Sequence, residues 1–177
     1  MLNFAEQNIE STGRVVEAEY FSSIKEKYYK LYGSLDNVRF KYGEEENARK
    51  AVESMQPWKD PSDPTPEFAN DLHATIADML KLEDYKNLEF YTAVGSHLDI
   101  YFGQDAFFKC KLGDQEIIVT LDLTANPNKY SSKADAIIHV PADYLLNRRE
   151  NTKEYGEILQ EASEVITKKI KNKLHIN

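Results

Sequence analysis

Apolar residues recur at helical spacing through the first part of the chain: Val16, Tyr20, Ile24, Tyr28 and Leu31 form a series three or four residues apart that stops at Gly33. The spacing predicts one long helix, with Thr12 placed to cap its start and Gly33 to supply the left-handed stop. A second, shorter helix is expected over Glu44 to Met55, where acidic residues open the segment and Ala48, Val52 and Met55 fall on one face. Pro57, Pro61, Pro64 and Pro66 then interrupt any regular element, because proline lacks the backbone donor that a helix or central strand needs. Thr65-Pro66 reads as a cap followed by proline at the first helical position. Phe68, Leu72, Ile76, Met79 and Leu80 supply the buried stripe of the third helix.

From Leu88 to Val140 the period changes to two. Strands are predicted at Leu88 to Val94 and His97 to Phe102, separated by Gly95-Ser96, then at Asp105 to Lys111, Glu116 to Leu123 and Ala134 to Val140. A closing helix opens at Asn151 with Glu154 at the capping-box position. Its stripe is Tyr155, Ile158, Leu159, Ala162, Val165, Ile166, Ile170 and Leu174, and Lys168, Lys169, Lys171 and Lys173 suit its C-terminal end. The order implies a mixed α/β fold with a mostly antiparallel central sheet flanked by helices. Residues 1–56 read as a helical N-terminal extension, 57–66 as a proline-rich linker and 67–177 as the α/β core, together one compact domain.

One hairpin brings candidate chemistry together. Gly113-Asp114 between two strand-like runs is a two-residue turn of the primed type. If Leu112 pairs with Gln115, Ala106, Phe108, Cys110 and Leu112 share a core face with Leu121, Val119, Ile117 and Gln115. The opposite face, carrying Phe107, Lys109 and Lys111 with Thr120, Ile118 and Glu116, is mixed and expected to be partly wet. The same register sets Asp105 directly across from Asp122, with Cβ atoms about 5 Å apart. Two such carboxylates repel unless water screens them, a proton sits on one, or a cation lies between them. Mg²⁺ or Mn²⁺ is the natural third party, since it takes one or two carboxylates and keeps waters for chemistry. Lys129, Lys133 and Asp135 follow in sequence and can reach the same end of the sheet, where a lysine would steady charge developing on a phosphate.

Composition narrows the classes. With 177 residues, 22 Lys plus Arg, 30 Asp plus Glu and a formal net charge of −8, the chain is long enough for a sizeable core. It is too acidic to coat nucleic acid passively. Clustered carboxylates holding a divalent cation would restore local attraction for phosphate, so an enzyme acting on nucleic acid remains open. One cysteine, Cys110, excludes an internal disulfide. Without a signal peptide at the N-terminus or an apolar run of about 20 residues, the expectation is a cytoplasmic protein with no membrane span.

An acid opening one strand of a hairpin and a second acid near the end of the next, after a helix, resembles the PD-(D/E)XK nuclease superfamily. The matching stretches are Gly103-Gln104-Asp105-Ala106-Phe107-Phe108 and Val119-Thr120-Leu121-Asp122-Leu123-Thr124. The resemblance implies a restriction-endonuclease-like core, phosphodiester hydrolysis of nucleic acid, and metal-binding roles for Asp105 and Asp122. The superfamily's lysine, two residues after the second acid, is Thr124 here, so Lys129 or Lys133 takes over its task or the site is inactive. Residues 125–132 read as a loop, where the superfamily has a helix. Glu67 and Asp71 are the nearest candidates for a further helical acid, although neither matches a motif.

The plainer readings stand beside these. Strand-end acids facing water explain Asp105 and Asp122, and solvation of a loop explains Lys129 and Lys133. His73, His97, His139 and His175 lack metal-ligand spacing. His97 and Asp99 read as a surface pair, and Cys110 as packing. The tyrosines around Tyr20, Tyr28, Tyr29 and Tyr32 suit either core and rim or a partner surface. The alternative to an enzyme is therefore an inactive nuclease-like scaffold that binds a protein partner or regulates one.

Overall fold

A computed structural model describes residues 15–33, 44–142 and 145–175 of the chain. Among these, six helices surround a four-stranded sheet of order β1-β2-β3-β4. The strands are β1 Leu88–Thr92, β2 Ala106–Leu112, β3 Gln115–Thr124 and β4 Ala136–His139. The first three form an antiparallel meander, whereas β4 runs parallel to β3. The expected mixed α/β class and its mostly antiparallel sheet are borne out. No helix among the described residues is long and apolar enough to cross a membrane.

The long first helix breaks in two. Residues 15–21 (α1) and Lys25–Tyr32 (α2) are helical, and Ser22 between them adopts φ 65°. The break is held against the end of β1: Thr92 Oγ1 donates to the Ser22 carbonyl at 2.9 Å and Ile24 N–H to the Val94 carbonyl at 3.1 Å. Those tertiary bonds override an uninterrupted helical period. Val16, Tyr20, Ile24 and Tyr28 are buried as expected, but Leu31 is exposed. Gly33 stops α2 at positive φ. Thr12, the expected cap, lies outside the described residues.

Helix α3 spans Glu44–Glu53, and Ala48, Val52 and Met55 are buried as the pattern required. Helix α4 spans Glu67–Leu80, one residue later than expected. Pro66, not Thr65, is its extended N-cap, and it makes no side-chain capping bond. His97–Phe102 is a short helix, α5, and not a strand. Ser96 Oγ accepts from Leu98 N–H at its start and Gly103, at φ 62°, ends it. Capping won over a short apolar alternation that fits either period. The closing helix, α6 Thr152–Lys173, begins after Asn151 as expected.

The predicted hairpin register is realised from Ala106–Leu121 to Leu112–Gln115. Gly113 takes φ +59° while Asp114 stays at negative φ, the pattern of a type II′ turn. One sheet face, with Phe90, Phe108, Cys110, Val119, Leu121 and Leu123, packs on α1, α4 and α6. The other face is mixed, as expected, with Lys111 half-exposed and Glu116 exposed at its turn end. Its middle is buried: Tyr91 and Phe107 pack with Ile24, Tyr28, Val52 and Leu98 in a second core formed with α2, α3 and α5. Three short helices cover that part of the face, giving three layers.

His73 on α4 is 3% exposed and sets Nε2 at 2.7 Å from the Leu88 carbonyl. Burial holds its pKa below the usual histidine value. Its contribution to stability is therefore present above the unfolded value, about pH 6.5, and is lost as the pH falls toward the folded one. The stability difference between wild type and His73→Gln, read by urea unfolding, should shrink on acidification with a slope of at most about 1.4 kcal/mol per pH unit. A difference flat across that range would contradict this assignment.

Candidate functional site

Asp105 occupies the residue before β2, where the strand pairing with β3 ends. Its N–H donates to the Leu121 carbonyl at 2.8 Å and its own carbonyl accepts from Ala93 N–H at 2.7 Å. The side chain continues the ladder in place of backbone: Oδ2 accepts from Leu123 N–H at 2.7 Å. That bond accounts for a carboxylate here on structural grounds. It does not account for the neighbours.

Glu17 of α1 and Asp99 of α5 each bring a carboxylate oxygen to Asp105, and the three oxygens lie within 4.8 Å of one another. Asp99 is positioned by its helix, accepting from Gly95 N–H at 2.7 Å in the turn before α5. That turn is tight: a Cβ on Gly95, at φ +83°, would stand 2.5 Å from Lys25 Cβ, so only glycine fits. Asp105 is 5% exposed. Burial, then the Glu17 and Asp99 charges, hold its carboxyl well above the usual carboxylate range, opposed by the Leu123 N–H.

Asp122 stands on β3, also buried, and contributes the smallest of the charges acting on Asp105. It belongs to a different network. Lys129 Nζ meets its two oxygens at 2.8 and 2.6 Å, and Ser132 Oγ donates to Oδ2. Lys129 is thus an ion-pair partner, not a solvated loop residue. Lys133 turns away and donates to the Tyr101 carbonyl at 3.3 Å. Asp135 accepts from Thr120 N–H at 2.9 Å and from Lys173 at 2.7 Å. Asp71 on α4 is engaged by Tyr155 at 2.8 Å and Arg148 at 3.3 Å, and the acid that α1 brings to Asp105 is Glu17.

The donor set of Glu17, Asp99 and Asp105 is all carboxylate oxygen, the chemistry that Mg²⁺ and Mn²⁺ prefer over zinc or copper. Oxygens at adjacent positions of an octahedral Mg²⁺ are about 3 Å apart and at opposite positions about 4.2 Å, for bonds of about 2.1 Å. Three carboxylate oxygens within 4.8 Å of one another therefore share one ion by drawing inward around it. A proton on Asp105 offers the competing way to relieve the same repulsion. Glu17 and Asp99 were not selected from sequence. The Ser96-His97-Leu98-Asp99 capping pattern was legible and would have moved Asp99 from a strand to a helix start, but nothing in sequence ties Glu17 to Asp105. Compared with known proteins, the chain matches no protein-family model, no curated protein and no solved structure.

Because the folded pKa of Asp105 is raised, its favourable contribution is full below the unfolded value, near 3.9, and is lost as the pH rises through the folded value. Asp105→Asn keeps an acceptor for Leu123 N–H and removes that cost. In EDTA near neutral pH the variant should be more stable than wild type, with the gain vanishing as the pH falls toward the unfolded value. A variant less stable than wild type at neutral pH would show that the charge is already compensated.

Proposed function

We propose that the chain is a Mg²⁺- or Mn²⁺-dependent phosphodiester hydrolase acting on nucleic acid, with Glu17, Asp99 and Asp105 holding the cation. The observation that carries the reading is the convergence of three carboxylates from three separate elements on one point, with Asp105 buried among them. A divalent ion there would polarise a phosphoryl oxygen and favour ionisation of a water. The chain's own residues do the rest. The Leu123 N–H bond fixes the Asp105 carboxylate, and the Gly95 bond fixes Asp99. The buried Asp122 holds Lys129 at 2.6 Å, keeping an ammonium on the same sheet face to steady negative charge on a phosphate. Lys129 rather than Lys133 is thereby the better candidate for the role left open by Thr124.

A second reading has its own support. Lys129 and Ser132 occupy the oxygens of Asp122, which leaves the second acid of the hairpin committed within the protein. An inactive scaffold that binds a protein partner or acts as a regulatory module would tolerate that arrangement.

Thermal unfolding with Mn²⁺ or Mg²⁺ against EDTA separates the readings, since an ion bound only by the folded state raises the melting temperature. Wild type and Asp122→Asn should both gain several degrees at millimolar ion, and Asp105→Asn should gain none. Wild type should nick single- or double-stranded DNA or RNA, and Asp105→Asn should lose at least about a hundredfold of that rate, the scale of losing a charge-stabilising group. A thermal gain that survives Asp105→Asn would remove the cation from this cluster. A gain without cleavage would favour the partner-binding scaffold.

A further inference from the structure

On the same sheet face as Asp122, beside Thr120, lies a cavity of about 340 Å³ between α3, α5, β3 and the end of α6. The loop that gives Lys129 and Ser132 to Asp122 gives Lys133 and Asp135 to this cavity. Three cations, Arg49, Lys133 and Lys173, face two carboxylates, Glu45 and Asp135. The formal excess is one positive charge on a chain of net charge −8.

The pairings inside this wall are incomplete. Arg49 Nη2 donates to Glu45 Oε1 at 2.7 Å, and Gln104 Nε2 donates to the same oxygen at 2.9 Å. Lys173 pairs with Asp135 Oδ2. Among the described residues Lys133 makes no ion pair, and Glu45 Oε2 and Asp135 Oδ1 receive no donor. Gln104 is 4% exposed, and its Oε1 is buried with no partner, as is Arg49 Nε. The Gln104 amide cannot simply be flipped to relieve this, because its oxygen would then face the Glu45 carboxylate. Buried polar atoms without partners are uncommon, because each has given up its bonds to water for nothing. A donor and an acceptor left over in one wall mark a network that an incoming polar group completes.

We infer that this cavity binds a small phosphomonoester, a sugar phosphate, with its phosphate at Lys133, Arg49 and Lys173 and its hydroxyls at Glu45 and Asp135. Charge-assisted bonds from three cations match a dianionic phosphate better than a neutral ligand. Two carboxylate oxygens without donors among the described residues match the several hydroxyls of a sugar, set apart from the phosphate. The volume stands at the small end of ligand pockets, larger than a phosphate ion fills, and half-buried Phe102 gives one apolar wall for the ring of a sugar. The site shares no residue with the Glu17, Asp99 and Asp105 cluster, so it stands or falls independently of the metal.

Calorimetric titration of the full chain with ribose 5-phosphate, in EDTA, tests this, with ribose and inorganic phosphate as the two halves. Ribose 5-phosphate should bind at millimolar concentration or better, and more tightly than either half. Lys133→Glu should weaken it at least about tenfold, the worth of one charge-assisted bond, whereas Lys133→Arg, and Lys153→Glu at an exposed lysine of α6 outside the cavity, should bind as wild type does. Lys133 is exposed and, among the described residues, bonds only the Tyr101 carbonyl, so its substitution leaves the fold intact, which the melting temperature checks. Absence of binding to wild type, equal binding by Lys133→Glu, or inorganic phosphate binding as tightly as the ester would each overturn the assignment.

Discussion

The register of the β2–β3 hairpin is the constraint on which the rest of the structure depends. A two-residue turn with Gly113 at positive φ forces Leu112 opposite Gln115, and a slip of one residue would send every side chain to the opposite face. With the register set, Phe108, Cys110, Val119 and Leu121 enter one core and Phe107 enters the other. Both cores are then obligatory, because a sheet with aromatic residues on each side must be covered on each side. The α1–α2 break follows from the same demand. Residues 15–21 pack on one face and Lys25–Tyr32 on the other, so the chain must turn around the end of β1, and Ser22 is where it turns.

Closing the sheet's edges shapes the polar chemistry. The outer edge of β1 is finished by segments outside the sheet: Phe90 N–H donates to the Pro61 carbonyl at 2.8 Å, and the Gln56 side chain exchanges bonds with the Thr92 backbone at 2.8 and 3.0 Å. The proline-rich stretch thus serves as edge cover as well as a break. On the opposite side, β4 joins parallel to β3 through residues 125–135 rather than through the helix such a crossover usually carries. A loop brings short polar and charged side chains close to the sheet where a helix would bring an apolar stripe. Lys129 and Ser132 at Asp122, and Asp135 at Thr120, are the result.

Sequence pattern made the β2–β3 hairpin with its turn and register, the core placement of Cys110 and the closing helix legible, because each rests on local periodicity or on a turn residue with one conformational meaning. The second core was not legible. Alternation marks the Phe107–Thr120 face as mixed, and only the arrival of α2, α3 and α5 buries it. Helix α5 was misread because six residues hold less than two turns, so capping residues outweigh the apolar period. The candidate site was half legible. Asp105 and Asp122 could be brought near each other by register, whereas joining Glu17 to Asp105 requires knowing which sheet end α1 crosses. That is a tertiary fact, set by packing of Val16, Tyr20 and Phe21.

Charge on this molecule is sorted by sign along the sheet. Glu17, Asp99 and Asp105 concentrate carboxylates at one end, where burial first, and then the Glu17 and Asp99 charges, raise the pKa of Asp105. Two residues along β3 from Asp122, at Thr120, the cavity with Arg49, Lys133 and Lys173 carries an excess of the opposite charge. Asp122 with Lys129 sits between the two as a neutral pair, and a neutral pair screens neither neighbour. Arg49 with Glu45 and Lys173 with Asp135 compensate most of the cavity's charge and Lys133 reaches solvent, so the stability cost of this arrangement falls chiefly on the buried Asp105 carboxylate, and a cation held there would offset it.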